Sequence, residues 1–174
     1  MASIIILLVA KPTPKSFLIG LPFVIVGEAI RIWASGYLSK LKSLITAGPF
    51  AICRNPLYIG SFLISLGYFI MCNQPIVWIA GPILFWLFHG GAISYEERLL
   101  ANLFGDEFNE YCKTIPRLIS FPRSLAGHGE FSIRQVVNNN EHRGALITAL
   151  ALALYAILAY SSSDMPISWL ISRL

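Results

Sequence analysis

The chain has 174 residues, of which 56% are hydrophobic and only 13% charged, against about 25% charged in soluble domains. With a mean hydropathy of +0.66, that composition excludes an ordinary soluble domain and predicts an integral membrane protein of one domain, residues 1–174. The formal net charge of +4 does not indicate a nucleic-acid partner, because the basic residues are scattered at the ends of apolar runs and form no solvated basic face.

Residues 3–9 are apolar but too short to cross a bilayer, and Lys11-Pro12-Thr13-Pro14-Lys15 interrupts them. No basic n-region precedes them, so no signal peptide is expected. Residues 17–38 form the first good span. It carries Glu28 and Arg31 at i,i+3, near enough to pair on one helix face. Residues 39–53, with Lys40, Lys42, Gly48 and Pro49, read as a connection along the membrane surface.

Residues 57–71 and 75–89 are the second and third spans, joined by a tight turn at Cys72-Asn73-Gln74-Pro75. In the second, Tyr58, Ser61, Ser65, Tyr68 and Cys72 fall on one helical stripe that should face other helices. Gly81-Pro82 predicts a kink in the third. Residues 94–111 read as a separate amphipathic helix with Glu96, Leu99, Leu100 and Leu103 on one face. A basic loop follows, then a polar excursion over 123–143, a last span over 144–160 and a short tail.

With the hairpin turn outside, ten of the thirteen Lys and Arg residues, from Arg31 to Arg143, fall on one side. Lys11, Lys15 and Arg173 fall on the other. The crowded side is the expected cytoplasm.

Chemistry concentrates in two polar islands. Asn55 to Tyr95 is 41 residues without Asp, Glu, Lys or Arg. Arg54-Asn55-Pro56-Leu57-Tyr58-Ile59-Gly60 opens that stretch, and Glu96-Glu97 closes it. A hairpin that crosses and returns brings both islands to one surface. Asn55-Pro56 is a helix start, with Asn as N-cap and Pro at the first position. A helix N-terminus also offers free N–H groups to a carboxylate. Tyr58 lies one turn in, and Gly60 permits close approach of a neighbour. Glu96 and Glu97 project about 100° apart, with Glu96 on the leucine face. Crowding and desolvation should raise the pKa of one or both carboxylates. Either suits a cationic ligand group. Cys53, Cys72 and Cys112 lack metal or redox spacing, and His89, His128 and His142 do not cluster, so no metal is expected.

Together the islands resemble the isoprenylcysteine carboxyl methyltransferase and phospholipid methyltransferase superfamily of multi-pass membrane enzymes. The pattern is an Arg-His-Pro-x-Tyr-x-Gly block, an uncharged hairpin, a Glu-Glu block, a Phe-Gly-x-x-Tyr-x-x-Tyr-like segment and a Pro-Arg-like stretch. Here these read Arg54 to Gly60, residues 57–89, Glu96-Glu97, Phe104 to Tyr111, and Ile115-Pro116-Arg117. The similarity covers about residues 27–122 and leaves a last transmembrane helix, about 144–160, outside it.

The resemblance implies an all-α transmembrane bundle with a cytoplasm-facing cleft for S-adenosylmethionine, in a prokaryotic inner (plasma) membrane. It implies that Lys42, Ser43, Leu44, Ile45 and Phe50 line the cleft. Asn55, Pro56, Leu57 and Tyr58 would hold the cofactor's amino-acid and ribose parts, and Arg54 and Gly60 complete the cofactor-binding set. Glu96 and Glu97 would bind its ammonium group or position the acceptor, and with Tyr58 they are the candidate catalytic residues. The implied partners are the bilayer and a lipophilic methyl acceptor: a prenylcysteine-like carboxylate, a lipid amine, or a small thiol or acid. Two departures stand out: Asn55 replaces the usual His, and Ala92 and Ile93 occupy the turn where the prenylcysteine enzymes carry a substrate-binding Arg. A rival reading is an NADPH-dependent membrane sterol or enone reductase, against which Ser61 stands where Glu usually follows the block. A non-enzymatic membrane scaffold leaves the Glu pair unexplained.

Overall fold

A computed structural model describes residues 10–39, 43–118 and 125–161. The expectations for residues 3–9, for Lys42, for 119–124 of the loop region and for the tail from 162 onward lie outside the described residues. Those described form helices and no strand: α1 (Pro14–Tyr37), a 3-10 turn (Gly48–Ala51), α2 (Pro56–Cys72), α3 (Pro75–Thr114), a short α4 (Ile133–Asn138) and α5 (Glu141–Ser161). The fold is the expected all-α bundle. By length and hydropathy α1, α3 and α5 can each cross a membrane. Helix α2 is apolar but has 17 residues, roughly 25 Å at 1.5 Å per residue.

Helix α1 begins inside the Lys11–Lys15 segment, earlier than expected. Thr13 and Ser16 form a reciprocal capping box, with Thr13 N donating to Ser16 Oγ at 2.9 Å and Ser16 N to Thr13 Oγ1 at 3.1 Å. Pro14 takes the first helical position, where its missing N–H costs nothing.

Helices α1 and α2 make the most extensive helix pair, and glycines set their separation. A Cβ at Gly27 would lie 2.6 Å from the Gly60 carbonyl oxygen, and one at Gly20 would lie 2.5 Å from that of Gly67. Where lipid surrounds the helices, apolar burial does not draw them together. Close backbone approach at small residues does.

The turn joining α2 to α3 is as expected, with Asn73 in the left-handed conformation at φ 53°, a common helix C-terminus. Helix α3 then returns beside α2. Trp78 Nε1 donates to the Phe69 carbonyl at 3.0 Å, the Phe62 and Phe85 rings meet at 5.2 Å, and the Tyr58 and His89 rings at 5.9 Å.

The helix boundaries and the buried face expected along α3 are corrected. The third span and the first turns of the amphipathic helix form one continuous helix over residues 75–104, and a second helical segment runs on to Thr114 across a kink at Gly105. The backbone stays helical through Pro82, because a proline in a membrane helix removes one hydrogen bond without needing to end the helix. The only departure is at Gly105 (φ 51°, ψ −120°). That break redirects Phe108 and Tyr111, which bury against Leu44 together with Leu100 and Phe104. The buried face of this segment therefore runs through Leu100, Phe104, Phe108 and Tyr111, whereas Leu103 is exposed.

Helix α5 packs along α1 and α2. Tyr68 Oη donates to the Thr148 carbonyl at 2.8 Å, and the Phe17 and Tyr160 rings meet edge-on. The expected Glu28–Arg31 pair is also corrected. Arg31 turns to Glu141 at the start of α5, with Nε and Nη2 donating to the two carboxylate oxygens at 2.7 and 3.1 Å. A two-pronged carboxylate matches the guanidinium fork better than a neighbour one turn away on the same helix.

Candidate functional site

The C-terminus of α1, the N-terminus of α2 and the distal half of α3 converge at the end of the bundle opposite the Asn73 turn. Between them lies a cavity of about 650 Å³, within the usual range of small-molecule sites, about 300–1,000 Å³. One wall is Ser43, Leu44, Ile45 and Phe50. A second is the tip of α2, Arg54 through Tyr58, with Ser61. A third is His89, Glu96, Leu99, Leu100 and Tyr111 of α3, and Arg31 and Leu38 of α1 complete it. A smaller space of about 80 Å³ lies behind Asn55 and Tyr58, bounded by Trp86, Gly90, Ile93 and Arg117. Those two side chains partition the two spaces.

Both islands meet here, and their contacts are specific. Tyr58 Oη donates to Glu96 Oε1 at 3.0 Å. Asn55 Nδ2 donates to Glu97 Oε1 at 2.9 Å. Asn55 occupies the N-cap position of α2, yet its side chain makes no capping bond. The amide is committed across the hairpin to α3, which corrects the expected local role. Pro56 at the first helical position needs no cap for its absent N–H.

The glutamates divide. Glu96 is exposed and lines the cavity. Glu97 does not line it; its side chain is 14% exposed and is held from several sides. Arg117 Nε and Nη2 reach its Oε2 at 3.0 and 2.6 Å, and Arg54 Nη2 lies 3.8 Å from Oε1. Residues 75–95 account for roughly 30 Å of helix, the thickness of a hydrocarbon core, so this turn of α3 stands beyond it. Burial works against ionisation of Glu97. The hydrogen bonds from Arg117 and Asn55 and the charges of Arg54 and Arg117 outweigh it and hold the carboxyl below its usual 4.5. Of the two carboxyls, Glu97 is therefore not one that is raised.

Of the sequence-predicted site residues, Ser43, Leu44, Ile45, Phe50, Arg54, Asn55, Pro56, Leu57, Tyr58 and Glu96 border the cavity. Gly60 does not; it lies at the helix crossing, where a Cβ would meet Arg31 Cγ at 2.6 Å. Sequence reasoning missed His89, Leu99, Leu100 and Tyr111, and gave Arg31 no contact with Ser61. His89 follows from hairpin arithmetic, since it lies as far after the Asn73-Gln74 turn as Tyr58 lies before it. Tyr111 Oη donates to the Phe50 carbonyl at 2.7 Å, a tie that depends on the break at Gly105 and has no local signature.

Chemically, the site offers an exposed carboxylate beside a phenol, an apolar shelf of Leu44, Ile45, Phe50 and Leu57, and a guanidinium at its inner end. The shelf suits a planar aromatic group. The carboxylate suits a cationic group, since among the described residues its one hydrogen-bonding partner is the neutral Tyr58 hydroxyl.

Comparisons with known proteins show the family. A family model described as phospholipid methyltransferase matches residues 17–107. The cobalt-zinc-cadmium resistance protein CzcN of Cupriavidus metallidurans is 35% identical over 120 residues, 68% of this chain and 54% of that protein. Protein-S-isoprenylcysteine O-methyltransferase B of Arabidopsis thaliana is 33% identical over 114 residues, 59% of this chain and 58% of that protein. The Rattus norvegicus protein-S-isoprenylcysteine O-methyltransferase is 32% identical over 118 residues, 61% of this chain and 42% of that protein. The chain spans about half the length of the curated relatives it matches. It belongs to the phospholipid methyltransferase family.

Proposed function

We propose that this chain is an integral membrane methyltransferase that uses S-adenosylmethionine and acts on a lipophilic acceptor. The observation that carries the reading is the single cavity bordered by Asn55, Tyr58 and Glu96 together. It joins the two islands where an uncharged hairpin leaves the membrane, at the boundary between a water-soluble donor and a membrane-dissolved acceptor.

The residues present fit such a donor. Glu96 is an exposed carboxylate for an ammonium group, and the shelf of Leu44, Ile45, Phe50 and Leu57 takes a flat base. When bound, the cofactor supplies a methyl group on a positively charged sulfur. Tyr58 orients Glu96 through its hydroxyl. Glu97 stays ionised between Arg54 and Arg117 and holds Asn55 at the cavity edge, so it is a positioning residue. Phe50, Leu44 and Tyr111 exclude water from the side facing the cytoplasm. Charge disperses as a nucleophile approaches a sulfonium, so a dry cavity favours transfer, and alignment supplies much of the rate. An amine acceptor must lose a proton, and Glu96 is within the cavity to receive it.

The test is calorimetric binding of S-adenosylhomocysteine to detergent-solubilised protein, followed by incubation with labelled S-adenosylmethionine and a membrane lipid extract. Saturable binding and a labelled lipophilic product are expected. Glu96→Gln should weaken S-adenosylhomocysteine binding by about tenfold or more, the scale of one lost charge-assisted hydrogen bond. Absence of binding by the unaltered protein rejects the reading.

A further inference from the structure

The family match ends at residue 107, but one side chain at the cavity depends on a residue far beyond it. Glu141, the first residue of α5, is buried at 6% exposure. Its carboxylate accepts from Arg31 Nε and Nη2 at 2.7 and 3.1 Å, and Ser61 Oγ accepts from Arg31 Nη1. Among the described residues, three of the five guanidinium N–H groups are thereby engaged. Arg31 borders the cavity at its inner end. Its partner Ser61 lies five residues beyond Pro56, roughly 7.5 Å further along α2.

A lone guanidinium there would invite a carboxylate or phosphate. Arg31 is not alone, because a bidentate carboxylate already fills its fork. A second anion would approach Glu141 with like charge in a poorly solvated place, where such repulsion is strong. Among the described residues, the other arginines that border these spaces, Arg54 and Arg117, share the one carboxylate of Glu97, with Arg54 Nη1 also donating to Cys112 Sγ at 2.6 Å; Arg54 lies seven residues before Ser61, so neither adds a charge at the inner end beside Arg31. Ala92 and Ile93, on the turn of α3 before the glutamates, carry no charge.

From this we infer that Glu141 is a positioning and specificity-determining residue. It converts Arg31 into a charge-neutral hydrogen-bond donor, so that the inner end of the cavity favours a lipophilic acceptor whose polar end bears no negative charge. The word acceptor rests on the methyl-transfer reading, whereas the charge filter is a property of the cavity itself.

The test compares two probes that differ only in charge at neutral pH, N-acetyl-S-farnesylcysteine and its carboxamide. Both are titrated into the full-length protein in nanodiscs by calorimetry. The unaltered protein should bind the amide about tenfold or more tightly than the acid, the scale set by 1.4 kcal/mol of discrimination. Glu141→Gln frees the Arg31 charge and should cut that ratio by about tenfold. The double variant R31Q/E141Q removes both charges and should restore the preference for the amide, an outcome that general loosening of the fold would not produce. Equal or tighter binding of the acid by the unaltered protein overturns the inference. So does an unchanged ratio in a folded Glu141→Gln protein. Should that variant not fold, the unaltered and double-variant ratios decide. S-adenosylhomocysteine binding in the same nanodiscs separates the two claims: its absence with the ratio intact removes the methyl-transfer reading and leaves the filter.

Discussion

Glu96 and Glu97 are adjacent in sequence and opposite in circumstance. One faces a cavity with a phenol for company; the other is enclosed by two guanidiniums and an amide. The difference makes a prediction about acid. The Glu97 carboxyl is held below its ordinary 4.5 in the folded protein, so the pair it forms stabilises the fold fully above that value. The stabilisation is lost as pH falls through the depressed folded value. Glu97→Gln should remove this acid limb and lower stability near neutrality by about 1–3 kcal/mol, because Arg54 and Arg117 lose their counter-charge. Thermal unfolding in detergent at pH 7 and pH 4 checks it: the variant should be the less stable protein at pH 7, with the gap narrowing at pH 4. The 100° divergence of the two carboxylates was legible in the sequence. Their partners were not, because Arg117 lies 20 residues further on, past a proline, and only the folded loop brings it back.

At the scale of elements, the α2–α3 hairpin is a mirrored register. Phe69 with Trp78, Phe62 with Phe85, and Tyr58 with His89 each stand equally far from the Asn73-Gln74 turn. The turn was evident from Asn, Gln and Pro between apolar runs, so this half of the bundle was readable before any coordinates. The α1–α2 contact was not read, although its signal is present: Gly20 and Gly27 are seven residues apart, as are Gly60 and Gly67. Seven residues is close to two helical turns, so each pair lies on one face, and the two faces meet. Glycine in an apolar helix carries no side-chain pattern and is easily passed over. Gly27→Val should therefore cost more than a surface change. Its first carbon would fall 2.6 Å from one backbone oxygen and 2.8 Å from one backbone nitrogen, and neither can move aside. We expect a loss of about 1–3 kcal/mol or more, visible as a lower midpoint of thermal unfolding in detergent. Gly90→Ala, where nothing lies within 4 Å, should stay near the unaltered value. The continuity of α3 was missed for a different reason. Side-chain polarity changes abruptly at Glu96, but backbone hydrogen bonding does not follow polarity.

At the scale of the whole molecule, the polar excursion before α5 returns to the site. Thr46 N donates to the His128 carbonyl and Gly48 N to that of Leu125, at 3.0 and 2.9 Å. Asn139 Nδ2 donates to the carbonyls of Ser35 and Leu38 at 3.0 and 2.9 Å, capping the end of α1. Residues beyond the family match thus steady one wall of the cavity, which hydropathy alone could not reveal because the segment is polar and lacks periodicity. The distribution of basic residues also makes a topological prediction. In a Cys112→Ser background, Lys113→Cys should react with a membrane-impermeant maleimide only after permeabilisation of cells, and Gln74→Cys should react before it. The reverse pattern would turn the site outward. The mirrored hairpin has a further consequence. Because its arms are matched residue for residue, it acts as a caliper: the depth of the cavity below the turn is a fixed number of helical rises. Tyr58, His89 and Glu96 therefore keep their spacing whatever the thickness of the bilayer around the turn, so the geometry of the cavity is insulated from changes in lipid length.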